Sequence, residues 1–241
     1  MSSRAKSRSL GGRVARAAGW VALVAVAGVL LLQAWYFAQV LWYTRFDPGM
    51  TSFMEIQLQR LREKDPKAQL SHTWVPYERI SPHLKRAVIA AEDANFTDHD
   101  GVDWDAIEKA YERNLTRGKI VRGGSTITMQ LAKNLFLSGD RSYLRKAQEL
   151  AITYMIEVTM DKRRILEIYL NVAEWGVGVF GAEAAARRHF GTTAAKLGPG
   201  EAARMAAMLP RPRFYDSNRG APGLARRAGM IQRGMGAVEI P

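Results

Sequence analysis

The chain has 241 residues, 47% of them hydrophobic, so it is long enough for one well-packed domain and an appendage. Its formal net charge of +12 favours anionic partners such as lipid headgroups, phosphate-bearing substrates or nucleic acid. It contains no cysteine, which excludes a disulfide framework and a thiolate metal site.

The N-terminal segment joins a basic tail to a long uncharged stretch. Positions 1–16 hold five basic residues and no acid, and no charge occurs from Ala17 to Thr44. This stretch exceeds the roughly 20 residues that cross a hydrocarbon core, and basic residues mark the cytoplasmic end of such spans. We therefore predict a cytoplasmic tail at 1–18 and one transmembrane helix at 19–43 in a bacterial inner (cytoplasmic) membrane. The rest of the chain is expected in the periplasm, which argues against nucleic acid as a partner.

A cleaved signal peptide is the alternative interpretation of this segment. The apolar core of a signal peptide runs to about 7–15 residues and ends at a small-residue cleavage site. Here the apolar run continues through Trp35, Tyr36, Phe37 and Trp42, an aromatic belt typical of a membrane interface. The pattern therefore favours an uncleaved anchor.

The remainder of the chain has mostly helical patterns. Residues 44–73 are predicted to be a stalk or lead-in, because Asp47-Pro48-Gly49 is a turn signal and residues 53–62 have helical spacing. In the stretch 161–173 the apolar residues fall on one face behind Asp161, a candidate N-cap. No convincing run of alternating strands occurs. The predicted fold class is mostly α, with the main domain at 74–235.

The first polar constellation is a pair of carboxylates, Glu92 and Asp93. They end an apolar helical run, Ala87 to Ala91, and so emerge at the edge of buried surface. Desolvation there raises the pKa of a carboxyl group, which suits a general acid or base. The alternative is a solvated carboxylate at a helix end, followed by an aromatic anchor, Phe96.

The second constellation follows Gly123-Gly124. Ser125 and Thr126 precede a predicted helix, and glycines before a helix N-terminus expose N–H groups that bind anions. Gln130 and Lys133 share a face of this helix, with Asn134 next in sequence. The apolar positions are expected to face the core; these are Ile127, Leu131 and Leu135. Simple Ser or Thr capping is the alternative.

The third constellation is Arg145, Lys146 and Glu149, which meet on one helix face at spacings of four and three. An intrahelical salt bridge is the simple explanation. A predicted apolar stripe nevertheless puts Glu149 at a boundary, as expected for a cleft residue. The stripe consists of Leu144, Ala147, Ala151 and Val158.

Two carboxylates and a surplus of cations narrow the chemistry. A pair of carboxylates, here Glu92 and Glu149, is the usual equipment for reactions at a sugar C1. A plain glycosidase has no strongly anionic leaving group to neutralise. The cations therefore indicate a glycosyl donor carried on phosphate.

Three other patterns carry no site. Residues 176–181 match G-x-G-x-x-G, but a dinucleotide site needs a preceding strand and the segment before them has helical period. Gly118-Lys119 is followed by Ile120, so it is not a phosphate-binding P-loop. The histidines show no metal-ligand spacing; they are His72, His83, His99 and His189.

Residues 74–212 resemble the family of peptidoglycan glycosyltransferases that polymerise lipid II, in particular the stand-alone monofunctional biosynthetic type. The motifs that carry the resemblance begin at Glu92-Asp93, Gly124-Ser125, Arg145-Lys146, Lys162 and Gly178. Met129 departs from the second glutamine of many members. Bifunctional relatives continue into a transpeptidase domain, for which this chain is too short.

The resemblance implies a lysozyme-like, mostly α glycosyltransferase domain with a smaller membrane-facing jaw lobe at about residues 104–122. Five jaw residues are expected to touch lipid headgroups: Trp104, Arg113, Arg117, Lys119 and Arg122. It also implies that Glu92 is the general base for the 4-hydroxyl of lipid II. That oxygen attacks C1 of the growing glycan with inversion, and undecaprenyl pyrophosphate leaves.

The resemblance also assigns roles around the pyrophosphate. Lys133, Arg141 and Lys146 are expected to stabilise it, Gln130 to position it, and Glu149 to orient the substrate or a cationic partner. The remaining candidates for substrate binding are Asp93, Ser125, Asn134 and Arg145. No cofactor is required, and a divalent cation such as Mg²⁺ is expected to assist at most, without a dedicated metal site.

The expected partners are lipid II, the nascent glycan strand, the inner membrane and other cell wall synthesis and division proteins. A membrane-anchored lytic transglycosylase or muramidase on the same fold is the runner-up, but it leaves the cations without a function. A non-catalytic scaffold is a third possibility, disfavoured because both glutamates are intact.

Overall fold

Helices dominate the computed structural model, which describes residues 10–117, 124–137 and 142–241. The α-helices in these ranges are α1 Leu10–Tyr43, α2 Ser52–Arg62, α3 Pro82–Glu92, α4 Trp104–Arg117, α5 Ile127–Phe136, α6 Tyr143–Thr159, α7 Lys162–Val172, α8 Ala182–Phe190, α9 Pro199–Met208, α10 Pro212–Ser217 and α11 Pro222–Gly234. The strands are β1 Ser71–His72, β2 Glu174–Gly176 and β3 Val179–Phe180. The prediction of a mostly α fold is confirmed.

Short polar side chains cap the N-termini of several of these helices. Thr51, Ser81, Thr126 and Ser142 each accept a hydrogen bond from a backbone N–H of the first turn of the following helix. Asp161 does the same for α7, where its Oδ1 accepts from the N–H of Arg164 at 2.7 Å, as predicted. Such caps satisfy donors that a helix end leaves unpaired, so the local sequence fixes where each helix begins.

The three strands form one small sheet in the order β1-β3-β2. β1 pairs with β3 in parallel, and β2 and β3 form an antiparallel hairpin. The G-x-G-x-x-G pattern lies in this hairpin directly after α7, where Gly181 adopts a φ of +82°. The strands escape prediction because two or three residues are too short for an alternating pattern.

The core lies between α3, α5, α7, α9 and α11, with Trp175 of β2 fully buried. The predicted inward face of α5 is confirmed, since Ile127, Leu131 and Leu135 are all buried. Because α3 and α5 belong to this core, the polar side chains at their edges are held on rigid elements.

The predicted apolar stripe of α6 is wrong. Leu144 is 84% exposed and Val158 is 75% exposed, and Ala147 is also exposed. The buried positions follow a different spacing of three and four; they are Glu149, Ile152, Thr153 and Ile156. That face packs against α5, so Leu144, Ala147 and Val158 point away from the core, and Ala151 is partly buried.

Helix α1 is long and apolar enough to cross a membrane. The candidate span is Gly12–Tyr43, with a mean hydropathy of 2.1 in its apolar window, none of which is buried inside the protein. These properties fit a membrane anchor by length and composition.

The C-terminal part of α1 packs against the rest of the protein. Gln33 and Gln148 of α6 exchange amide hydrogen bonds of 2.8 and 3.0 Å. The Tyr36 ring meets Phe136 edge-on at 5.6 Å, and Val40 is fully buried. The helix is therefore fixed to α5 and α6 over its last three turns.

The segment after α1 is also packed against the main body. Arg164 donates to the carbonyls of Tyr43 and Phe46 at 3.1 and 3.0 Å and pairs with Asp47 at 2.9 Å. Met54 of α2 is buried in the core. The predicted stalk at 44–73 thus contributes to the packed structure.

Candidate active site

Glu92 occupies the last position of α3, where the helix emerges from the core. Its Oε2 accepts a hydrogen bond from Gln130 Nε2 at 3.1 Å, and its Oε1 accepts from Arg227 at 3.3 Å. Only 13% of its side chain is exposed. The carboxylate is therefore held by one donor on each oxygen.

Burial raises the pKa of Glu92 above its ordinary value, and the neighbouring charge of Asp93 adds to the effect. The hydrogen bond from Gln130 and the charges of Arg227 and Lys133 act in the opposite direction. A carboxyl group with a raised pKa, whose ionised form is still supported by hydrogen bonds, is suited to take a proton near neutral pH.

Asp93 ties the end of α3 to the start of α5. Its Oδ1 lies 2.9 Å from Nε2 of His99, and its Oδ2 accepts from the N–H of Ile127 at 3.0 Å. Its side chain is buried. A carboxylate at a helix N-terminus is favourable, so this contact fixes Glu92 relative to α5.

The capping alternative holds for Thr126. Its hydroxyl accepts from the N–H of Met129 at 3.2 Å and donates to the carbonyl of Gly101 at 2.6 Å. Asp93 uses a further N–H of the same turn. Ser125 makes no side-chain hydrogen bond in the described part of the chain, and it faces the cavities described below.

Asp93, His99 and Asp103 bring their donor atoms within 4.8 Å of one another, the best metal-like group in the described ranges. Their atoms are nevertheless all engaged. His99 Nδ1 accepts from Gly101, and the oxygens of Asp103 accept from Ala106 and Asn95. These hydrogen bonds link the three side chains into one turn between the end of α3 and the start of α4.

A cavity of about 350 Å³ opens beside Glu92 and carries most of the predicted cations. Its lining consists of Glu92, Ser125, Met129, Gln130, Lys133, Arg145, Lys146, Glu149, Leu209 and Pro210. We call it the cationic cavity. The three polar constellations, which lie far apart in sequence, therefore meet at one place.

Glu149 lies in the wall of the cationic cavity with only 3% of its surface exposed. Its Oε2 pairs with Arg145 at 2.6 Å and its Oε1 pairs with Lys146. The intrahelical salt bridge is thus present, and it orients two cations along the cavity. Burial lowers the pKa of Lys133, while the carboxylates of Glu149 and Glu92 counteract this effect.

A second cavity of about 180 Å³ shares Glu92 and Ser125 with the first. Its remaining lining is Asp93, Ala94, Asn95, Asp103, Ala106, Lys109, Gly124 and Thr126. Glu92 therefore lies where the two cavities meet, with its carboxylate in the lining of both.

Several predicted residues lie elsewhere. Asn134 is buried and lines neither cavity. Arg141 lies outside the described residues, as do Lys119 and Arg122 of the predicted jaw. Trp104 is exposed at the start of α4, whereas the structure does not describe the side chains of the other jaw residues, Arg113 and Arg117.

Arg227 of α11 is the main site residue that the sequence patterns miss. It stands 135 positions after Glu92, in a helix with several arginines and no distinguishing motif. Leu209 and Pro210, which close the cationic cavity, also lack any signal in the sequence. Only the tertiary packing of α9 and α11 against α3 brings them to Glu92.

Comparisons with known proteins show which proteins this chain is similar to. The family model described as Transglycosylase matches residues 58–236. The chain is 63% identical over 222 residues to the biosynthetic peptidoglycan transglycosylase of Janthinobacterium sp. (strain Marseille), covering 92% of this chain and 96% of that protein. It is 57% identical over 216 residues to the protein of the same name from Chromobacterium violaceum, covering 90% and 95%.

Proposed function

The chain belongs to the transglycosylase family, and we propose that its two cavities bind the substrates of glycan polymerisation on either side of Glu92. It is a peptidoglycan glycosyltransferase that acts in cell wall synthesis. The substrates are lipid II and the growing glycan strand. The observation that carries the proposal is a buried carboxylate with a raised pKa at the junction of the two cavities, one of them cationic.

Glu92 is proposed as the general base. It removes the proton from the 4-hydroxyl of the acceptor lipid II as that oxygen forms a bond to C1 of the donor strand. The bond between C1 and the phosphate oxygen breaks, and undecaprenyl pyrophosphate leaves with the electron pair. Attack from the side opposite to the leaving group inverts the configuration at C1. The raised pKa of Glu92 suits this proton transfer.

The cationic cavity is proposed to hold the pyrophosphate of the donor. Lys133, Arg145 and Lys146 line it, and preorganised positive charge stabilises the negative charge that develops on a leaving phosphate. Glu149 keeps Arg145 and Lys146 in place through its two ion pairs. Arg141 is assigned to the same role by the family resemblance alone.

Mg²⁺ is proposed to enter only as a companion of the pyrophosphate. The ligand atoms of Asp93, His99 and Asp103 already take part in hydrogen bonds that hold their turn, as described above. The protein's own contribution to charge neutralisation is therefore the set of cations around Lys133.

The decisive experiment is the Glu92→Gln variant with lipid II as substrate. Glutamine keeps the volume and one acceptor oxygen but cannot accept the proton, so polymer formation should fall about 10²- to 10⁴-fold. Glu183→Gln is the matched control, because Glu183 is buried in an ion pair with Arg187 outside both cavities. Turnover by Glu92→Gln close to that of wild type would refute the assignment of the base.

A lytic enzyme is the rival that the same assay separates. Incubation of wild-type protein with intact sacculi should release no muropeptides, whereas lipid II should give polymer and undecaprenyl pyrophosphate. Muropeptide release without polymer would favour the lytic enzyme.

We also propose a single-pass topology in the inner membrane with a cytoplasmic N-terminus and a periplasmic catalytic domain. The basic tail before α1 supports it. Because the chain has no cysteine, single substitutions can be labelled in intact cells. A membrane-impermeant maleimide should label Ser217→Cys, an exposed position of α10, and should not label Ser3→Cys. The reverse pattern would contradict the topology.

A further inference from the structure

Three side chains from three helices form a hydrogen-bonded relay that ends on Glu92. The hydroxyl of Tyr169 on α7 donates to Gln130 Oε1 at 3.0 Å. Gln130 on α5 in turn donates through Nε2 to Glu92 Oε2 at 3.1 Å. Tyr169 is fully buried and lines neither cavity, so it touches no substrate.

The direction of this relay is fixed by chemistry. An ionised carboxylate only accepts hydrogen bonds, so Gln130 must present its N–H groups to Glu92. The amide oxygen of Gln130 then faces Tyr169, which must be the donor. Burial, with the charges of Glu92 and Asp93, raises the pKa of Tyr169 well above its ordinary value, so the phenol keeps its proton.

Other groups around Glu92 act on its charge rather than on the amide. Arg227 of α11 reaches Oε1, Lys133 lies on α5, and Asp93 follows directly in sequence. Among the described residues, only Tyr169 is hydrogen-bonded to the oxygen of Gln130. Without that hydroxyl the amide loses the partner that keeps its N–H groups turned toward the carboxylate.

We propose that Tyr169 is a positioning residue for the base: through Gln130 its hydroxyl keeps an amide N–H on Oε2 of Glu92 and so fixes the orientation of the carboxylate. The inference rests on the proposed function, because it takes Glu92 as the base that receives the proton of the acceptor hydroxyl. It adds a residue that contacts neither substrate to the machinery of the reaction.

The test is the Tyr169→Phe variant, which removes one buried oxygen atom and leaves the ring in place. The amide N–H favours the ionised form of Glu92, so its loss raises the pKa of that carboxyl. Because the reaction needs the ionised form, the acid limb of the pH profile should move to higher pH. We expect kcat/KM for lipid II to fall about three- to tenfold on the acid limb and less than about twofold on the plateau.

A double-mutant cycle identifies the route of the effect. Gln130→Leu removes the amide at similar volume, and Tyr169→Phe added to it should shift the acid limb no further. Tyr77→Phe is the matched control, because it removes another buried hydroxyl, one bonded to the carbonyl of Pro241. It should lower the melting temperature comparably and leave the limb unmoved.

Two results would overturn the proposal. One is a rate loss in Tyr169→Phe that is equal at all pH values, as expected of a structural defect alone. The other is the same shift of the limb in the wild-type and Gln130→Leu backgrounds. The activity of Glu92→Gln tests the base assignment independently. If that assignment is wrong, Glu92→Gln remains active regardless of the pH profile of Tyr169→Phe.

Discussion

Replacing Lys133 by methionine tests how the cationic cavity recognises its ligand. Lys133 lines the cavity and is mostly buried, and burial lowers the pKa of its ammonium group. Methionine keeps the apolar stem and removes the charge. The substitution therefore removes the positive charge of Lys133 with little change in side-chain volume.

The expected size follows from the loss of one charged hydrogen bond. Such a bond contributes about 1.5–3 kcal/mol, which corresponds to about a 10- to 150-fold loss of affinity for a pyrophosphate-bearing ligand. Loss of the positive charge also raises the pKa of Glu92, so the acid limb of activity should move to higher pH. A finished glycan strand without phosphate should bind with affinity changed less than about threefold, because it has no phosphate charge for Lys133 to contact.

The assay is equilibrium binding of lipid II and of a phosphate-free glycan strand to wild type and Lys133→Met, together with polymer formation. Lys85→Met is the matched control, since Lys85 is also buried but lies over the ring of Tyr77 at 3.5 Å, outside both cavities. Equal losses for the two ligands in Lys133→Met would refute the reasoning.

Three further variants test the rest of the structure. Glu149→Gln should severely reduce polymer formation and lower stability by about 1–3 kcal/mol, because it weakens the ion pairs to Arg145 and Lys146. Melting temperature and activity measured together separate the two effects, and an unchanged rate would contradict the role of Glu149. A protein lacking residues 1–44 should remain folded and active on detergent-dispersed lipid II but melt at a lower temperature, since it loses the packing of Tyr36 and Val40. An unfolded product would show that the catalytic domain needs α1 to fold. Gly181→Ala should lower the free energy of unfolding, measured by chemical denaturation, by about 1–3 kcal/mol, because its Cβ would lie 2.7 Å from the carbonyl oxygen of Asn171 at a φ of +82°. Gly191→Ala, at a φ of +66° with open space around it, should lower it by less.

Local patterns predict the helices and most of the polar residues that line the cationic cavity, for identifiable reasons. Glu92 stands at the end of an apolar run, and Asp161 caps a helix with a clear period, so each signal is contained within a few neighbouring residues. Gln130 and Lys133 are likewise marked by their spacing on one predicted helix. Each of these signals lies within a short stretch of sequence, and helix propensity and hydrophobic periodicity can be recognised within such a stretch.

The parts that escape prediction depend on contacts between distant segments. Arg227 meets Glu92 only because α11 packs against α3, and nothing in its own neighbourhood marks it. The apolar stripe of α6 is misassigned because Leu144 and Val158 are hydrophobic but exposed, while Glu149 and Thr153 are polar but buried. Whether a polar residue is buried depends on which distant segment packs against it. A single sequence does not show which segments are in contact.

The packing of α1 against the main body has a consequence for the proposed membrane anchor. From Gln33 to the end of the helix the chain rises about 15 Å, and this section is held against α5 and α6. In the proposed topology the catalytic cleft is therefore packed directly against the membrane anchor and is not joined to it by a flexible linker. The lipid chain of a prenyl-linked substrate stays in the bilayer, so its sugar lies at a fixed height above the membrane surface. The cleft must be held at the same height to reach it. Hydrophobic mismatch costs such a helix fractions of a kcal/mol per Å and is met by tilting, so we expect the rate of glycan synthesis to depend on bilayer thickness.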